Sequence, residues 1–198
     1  MGHPLLDLTK KTAVVIGGTS GIGLALTRAL AQAGADVIPT GRRAEQVNAA
    51  ASEVQALGRR SLAQTCDVTD TASLDQLLQA VTGEFGNVQI LVNCAGRTKR
   101  TPTLEVPDSE WNAILETNLN GTLRACRVFG RHMIERGYGS IINIASLSSS
   151  VALHEVAVSS ATKPARAPLP RSLATQRAKS GGSGHPTAPG PLRPAPGP

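Results

Sequence analysis

From Ala13 to Ser146 the chain alternates short uninterrupted apolar runs with apolar residues spaced for helices. Ala13-Val14-Val15-Ile16 has no polar break, the pattern of a strand covered on both faces. Ile22, Leu26 and Leu30, flanked by Ala25, Ala29 and Ala33, recur at helical spacing, and Gly34 stands where such a helix ends. A second strand is predicted around Val37-Ile38, followed by a helix carrying Val47, Ala50, Ala51 and Val54 and a third strand over 61–66. Leu74, Leu77, Leu78, Val81 and Phe85 mark the next helix, and 88–92 the next strand. Pro107-Asp108 opens a long helix with Trp111, Ile114, Leu115, Leu119, Leu123 and Cys126 toward one face, and residues 140–145 form another buried strand. Regular alternation of this kind predicts an α/β fold, a doubly wound parallel sheet with helices on both faces, in three layers.

The first strand empties into Gly17-Gly18-Thr19-Ser20-Gly21-Ile22-Gly23, and a helix follows at once. Strand, glycine turn and helix in that order let a pyrophosphate approach the backbone and rest on the unpaired amides of a helix N-terminus, the Rossmann-type arrangement for a dinucleotide. Gly17, Gly21 and Gly23 are the positions where a side chain would obstruct it. The second strand runs into Thr40-Gly41-Arg42-Arg43, with no carboxylate there to bind a free ribose hydroxyl. Arg42 and Arg43 can pair with a 2′-phosphate, which favours NADP over NAD; the alternative is a solvated arginine pair opening the next helix. Asp67 either accepts a hydrogen bond from an adenine amino group or caps the helix that begins near Asp70.

With the glycine turn, Ile90-Leu91-Val92-Asn93-Cys94-Ala95-Gly96 resembles the short-chain dehydrogenase/reductase family, particularly its gluconate 5-dehydrogenase and 3-oxoacyl-carrier-protein reductase members. The family usually has a second asparagine where Cys94 stands. The resemblance implies hydride transfer between a nicotinamide cofactor, NADP or NAD, and a secondary alcohol or ketone. It places the cofactor against Gly17, Thr19, Ser20, Gly21, Ile22, Gly23, Arg42, Arg43, Asp67, Val68, Asn93, Ala95, Gly96 and Lys163. Asn118 matches the asparagine that supports the proton relay, Ser146 the serine that hydrogen-bonds the substrate carbonyl, and Lys163 the lysine beside the nicotinamide ribose.

One member of the implied set is missing. The family's tyrosine stands four residues before the lysine, and that position holds Ser159; Tyr138, the only tyrosine, precedes the last predicted strand. A phenol ionises near ~10 and a neighbouring ammonium lowers that value, whereas an alkyl hydroxyl ionises far higher. The alternative to an active enzyme is therefore a nucleotide-binding protein impaired in catalysis. Pro164, Pro168 and Pro170 fall where the lysine-bearing helix should continue, through which family members commonly pair their subunits, so that helix and the pairing are both expected to be disrupted. The resemblance also implies a longer chain, so truncation and loss of the family's C-terminal strand are expected.

Composition divides the chain at the same place. Lysine plus arginine balances aspartate plus glutamate, 14 each, over residues 1–155, whereas 156–198 holds six bases and no acid, the source of the net charge of +6. Nine of the thirteen prolines also lie in 156–198, which predicts a dinucleotide-binding domain over 1–155 and a degraded helix with a disordered tail after it. The tail has no aromatic residue to stack a base, so nucleic acid is not an expected partner. The leucines near the start are broken by Asp7, so neither a signal peptide nor a membrane span is expected, and Cys66, Cys94 and Cys126 lack metal or redox spacing. A cytoplasmic protein with no metal site is the expectation.

Overall fold

The computed structural model describes residues 7–146 and 157–166. Four parallel strands, β1 (Thr12–Ile16), β2 (Asp36–Thr40), β3 (Ile90–Asn93) and β4 (Ser140–Asn143), pair in the order β2-β1-β3-β4. The helices are α1 (Gly21–Gln32), α2 (Ala44–Ala56), α3 (Thr71–Phe85), α4 (Asp108–Leu115), α5 (Gly121–Glu135) and α6 (Ala157–Thr162). Alternation along β1 supplies two cores. Val14 and Ile16 pack with Leu74, Leu77 and Val81 of α3 and Phe129 and Met133 of α5, while Ala13 and Val15 pack with Ala31 of α1 and Val54 of α2. Burial of each such aliphatic side chain contributes about 1.5–3 kcal/mol, and the three-layer sandwich follows from having both faces to cover. No helix among the described residues is long and apolar enough to cross a membrane.

The predicted stripes of α2 and α3 match the buried faces: Val47, Ala50, Ala51 and Val54 are buried, as are Leu74, Leu77 and Val81. Two others do not match. On α1 the inward face is Gly23, Thr27 and Ala31, and Ile22, 53% exposed, turns away from the core. The helix lies so close to the strand below that only small residues fit, and Thr27 Oγ1 donates to Gly18 O at 3.1 Å. On the long helix the buried positions include Ile114, Asn118, Thr122, Ala125, Cys126 and Phe129, and Trp111 is 40% exposed. That helix is also not one regular element: Glu116–Asn120 widens into a π turn between α4 and α5.

The strand expected over 61–66 does not form. This segment does run beside β2, with Val37 N donating to Arg60 O at 3.1 Å and Cys66 N to Gly41 O at 2.9 Å. Pro39 shares the parity of Val37, so the donor that would continue the ladder on that side is the one proline lacks. Thr40 Oγ1, bonded to Gln64 O at 2.6 Å, ties the segment down instead.

Beyond β4, α6 packs on α4 and buries Val158 and Thr162. It ends at Thr162, and a short 3-10 turn, Pro164–Arg166, follows Lys163. The helix stops where Pro164 cannot continue it. The Ser159 side chain and the tail 167–198, with Pro168 and Pro170, lie outside the described residues.

Candidate functional site

Strand order reverses between β1 and β3: β2 lies on one side of β1, and the chain returns to place β3 on the other. At such a switch point the loops leaving the two strands diverge and a crevice opens at their carboxyl ends. Here it is a cavity of about 620 Å³, within the range of small-molecule and cofactor sites. It is lined at one end by the glycine turn and at the other by Ser146 and Lys163.

The glycine turn fits against β3 without room for side chains. Gly17 has φ +81°, and a Cβ there would stand 2.6 Å from Ala95 N. A Cβ on Gly23 would overlap Gly17 O, and one on Gly18 would come within 2.7 Å of Val15 O. Cys94 N donates to Ile16 O at 2.9 Å, which locks the two loops together. Gly21 differs: its φ is +50°, but a Cβ would meet nothing within 4 Å. Gly21 does not line the cavity, so its contribution is the turn conformation rather than clearance. Ser20 at the N-cap of α1 makes no side-chain cap bond and no acid lies in the first turn, so the helix start is not neutralised from within. Thr19, Ser20, Ile22 and Gly23 all line the cavity, and the exposure of Ile22 is explained by that position.

Arg42 and Arg43 leave the end of β2 at the same side of the cavity, both exposed. Asp67 and Val68 face them from the segment after 61–66. Asp67 does not cap α3; Asp70 does, accepting from Ala72 N at 2.9 Å. The Asp67 carboxylate instead accepts from Thr69 N at 2.9 Å and Thr69 Oγ1 at 2.8 Å. Burial raises its pKa, but the two Thr69 bonds and the charge of Arg42 outweigh this and hold it below the ordinary carboxylate value.

At the other end Ser146 stands just past β4, and Lys163 just past α6. Asn118, fully buried in the π turn, ties the loop after β3 to α6. Its Oδ1 accepts from Arg97 N at 2.8 Å, and its Nδ2 donates to Arg97 O at 3.0 Å and to Thr162 Oγ1 at 3.2 Å. Both amide hydrogens are therefore committed to the loop after β3 and to the residue before Lys163. Thr122 Oγ1 donates to Asn118 O at 2.7 Å, so the main chain of Asn118 is held as well.

Most of the residues predicted from sequence come together here. Asn93 does not: it is buried behind the cavity, with Nδ2 donating to Asn143 Oδ1 at 2.8 Å and tying β3 to β4. Ala95 and Gly96 do line the cavity. Sequence reasoning missed Arg97, Thr117 and the thiols of Cys66 and Cys94, which also line it. Burial pushes the Cys66 thiol up to about 11, so it remains a thiol rather than a nucleophile. Only the placement of Arg97 directly after Ala95-Gly96 signalled it, and a charged loop residue ordinarily reads as solvated.

Comparison with known proteins agrees with this architecture. The short chain dehydrogenase family model matches residues 11–195, through the Ser159 position and well into the tail. The chain is 36% identical over 182 residues to gluconate 5-dehydrogenase of Gluconobacter oxydans, covering 91% of this chain and 71% of that enzyme. It is 36% identical over 185 residues to the 3-oxoacyl-[acyl-carrier-protein] reductase of Escherichia coli, covering 93% and 75%. The crystal structure of a short-chain type dehydrogenase/reductase from Mycobacterium marinum superimposes with a TM-score of 0.83 at 31% identity, over 88% of this chain and 70% of the other. With its parallel sheet, glycine turn and flanking helices, the chain belongs to the short-chain dehydrogenase family of Rossmann-fold oxidoreductases.

Proposed function

We propose that the chain is an NAD(P)-dependent oxidoreductase acting on a secondary alcohol or ketone, with NADP the preferred cofactor. The observation that carries this reading is a single cavity bounded by the glycine turn and Arg42 and Arg43 at one end and by Ser146 and Lys163 at the other. The residues present suit a dinucleotide: the turn packs so tightly at Gly17 and Gly23 that Cβ atoms have no space, and the adjacent α1 amides suit a pyrophosphate. A nicotinamide cofactor supplies or accepts the hydride.

The residues of the chain bind and orient. Arg42 and Arg43 would hold a 2′-phosphate, and Asp67 and Val68 would bound the adenine. The Ser146 hydroxyl would donate a hydrogen bond to the substrate carbonyl, and Lys163 would contact the nicotinamide ribose. Asn118 ties Arg97 of the loop after β3 to Thr162, the residue before Lys163. The three cysteines, Cys66, Cys94 and Cys126, form no disulfide with one another, which supports a reducing compartment such as the cytoplasm.

A second reading rests on Ser159, four residues before Lys163 on α6: a nucleotide-binding protein whose proton step is impaired. Ketone-dependent loss of NADPH absorbance separates the two. Loss of a positioned general acid or base costs about 10²- to 10⁴-fold in rate, so Ser159→Tyr should raise turnover by a factor in that range if the proton step is the defect. Turnover by the wild type that the substitution leaves unchanged would favour an intact enzyme using another proton route. Absence of turnover in both, with NADPH still bound, would favour the binding protein.

A further inference from the structure

The loop leaving β3 is pinned twice. Asn118 grips the main chain of Arg97 from both sides, at 2.8 and 3.0 Å. Farther along, Glu110 of α4 accepts from Lys99 Nζ at 2.7 Å and from Thr101 Oγ1 at 2.8 Å. Glu110 is only 9% exposed. The Lys99 bond, against the opposing effect of burial and with help from Thr101, keeps its carboxyl below the ordinary value, so it stays charged and holds the loop at neutral pH. Arg97 is thus presented from a fixed backbone.

Its side chain lines the cavity in the company of Thr117, Ser146 and Lys163. No carboxylate among the described residues forms an ion pair with it. Glu110, whose charge it stabilises from a distance, is already occupied by Lys99 and Thr101. A guanidinium on a cavity wall with no ion-pair partner among the described residues offers a planar fork of donors matched to carboxylate or phosphate oxygens.

We infer that Arg97 is an anion-binding residue on the cavity wall after β3, between the glycine turn and Ser146, taking carboxylate or phosphate oxygens of the bound molecules. Two sources share that chemistry: an acidic hydroxy or keto substrate, and the pyrophosphate of the cofactor. Asn118 and Glu110 are its positioning residues. The inference deepens the reading of the cavity given above and rests on it.

The test compares wild type with Arg97→Ala, titrated with NADPH and then, at saturating NADPH, with D-gluconate and its uncharged counterpart D-glucitol, following cofactor fluorescence and melting temperature. Because the Arg97 side chain is exposed and forms no ion pair in the described chain, the variant should keep the wild-type melting temperature. Loss of a hydrogen-bonded charged partner weakens binding about ten- to hundredfold. A loss of that size for gluconate and not for glucitol assigns the anion to the substrate; the same loss for NADPH assigns it to the pyrophosphate. Arg97→Lys should recover part of either loss, since it keeps the charge and not the fork. Equal NADPH affinity in wild type and variant, with no gluconate binding that depends on Arg97, overturns the inference. If wild type binds no dinucleotide, the reading of the cavity fails instead. In that event inorganic pyrophosphate and gluconate are titrated alone, and binding lost in Arg97→Ala supports the inference while its absence overturns it.

Discussion

The two ends of the cavity are made by different means. The nucleotide end is backbone packed on backbone: Gly17 against Ala95 and Gly23 against Gly17 leave no volume for a Cβ, and the loops are joined by main-chain hydrogen bonds such as Cys94 N to Ile16 O. The end at Ser146 and Lys163 is assembled from side chains on separate elements, with one buried asparagine linking the loop after β3 to α6. A backbone cradle cannot lose one part without distorting the rest, because its shape and its binding surface are the same atoms. The side-chain end can exchange one group and keep its scaffold. The proposed exchange of the family's tyrosine for Ser159 would be of this kind, since α6 packs on α4 and delivers Thr162 to Asn118.

Alanine substitution at two glycines of one turn breaks this comparison most sharply. Gly23→Ala forces a methyl into Gly17 O and should cost about 1–3 kcal/mol or more in stability, as overpacking does. It should also abolish dinucleotide binding, measured by urea denaturation and cofactor fluorescence on one preparation. Gly21→Ala meets no neighbour and should cost only the left-handed backbone penalty of about 1–2 kcal/mol. If Gly23→Ala and Gly21→Ala were equally stable, the cradle would not be set by clearance.

Charge selection at the nucleotide end is a smaller effect. Replacing Arg42 and Arg43 together with alanine should weaken NADPH binding about ten- to hundredfold and leave NADH nearly unchanged. Both side chains are exposed, so the melting temperature without ligand should not move. Equal weakening of NADPH and NADH would assign the arginines to general attraction rather than to the 2′-phosphate.

The smallest effect lies outside both ends. His132 on α5 is buried with Nε2 2.7 Å from Asn87 Oδ1, and burial, then the charge of Arg136, lowers its pKa, with Glu135 opposing. A folded-state value below the unfolded one of about 6.5 means the unfolded chain takes up the proton first. Stability is therefore full above that value and declines as pH falls below it. Melting temperatures between neutral and mildly acidic pH should fall, and His132→Gln should flatten the slope while leaving NADPH affinity unchanged.

What could be read from the sequence follows the same division. The glycine turn, α2, α3 and the parallel sheet were legible because apolar residues face inward there, and the turn glycines sit in an unbroken strand-to-helix passage. The inward face of α1 was not, because close packing on the sheet demands Gly23, Thr27 and Ala31, which carry little hydrophobic signal, while apolar Ile22 serves the cavity. The phase of the long helix was misread for a related reason, since Asn118 and Thr122 are buried for the hydrogen bonds they make. The absent strand over 61–66 depends on the parity of one residue in its neighbour, Pro39, which composition within the segment cannot reveal. Arg97 was hidden because its significance comes from the two anchors that fix its loop, Asn118 and Glu110, both distant in sequence.

The central claim is that the glycine-walled cavity is a working nucleotide site. Its most direct test is a titration of the full chain with NADPH, reading cofactor fluorescence and melting temperature together, with Gly23→Ala beside it. Saturable binding by the wild type is expected, with a rise in melting temperature corresponding to about 2.7 kcal/mol at a hundredfold excess over Kd, and neither change in the variant. An unchanged melting temperature and fluorescence in the wild type, or equal binding by Gly23→Ala, would contradict it.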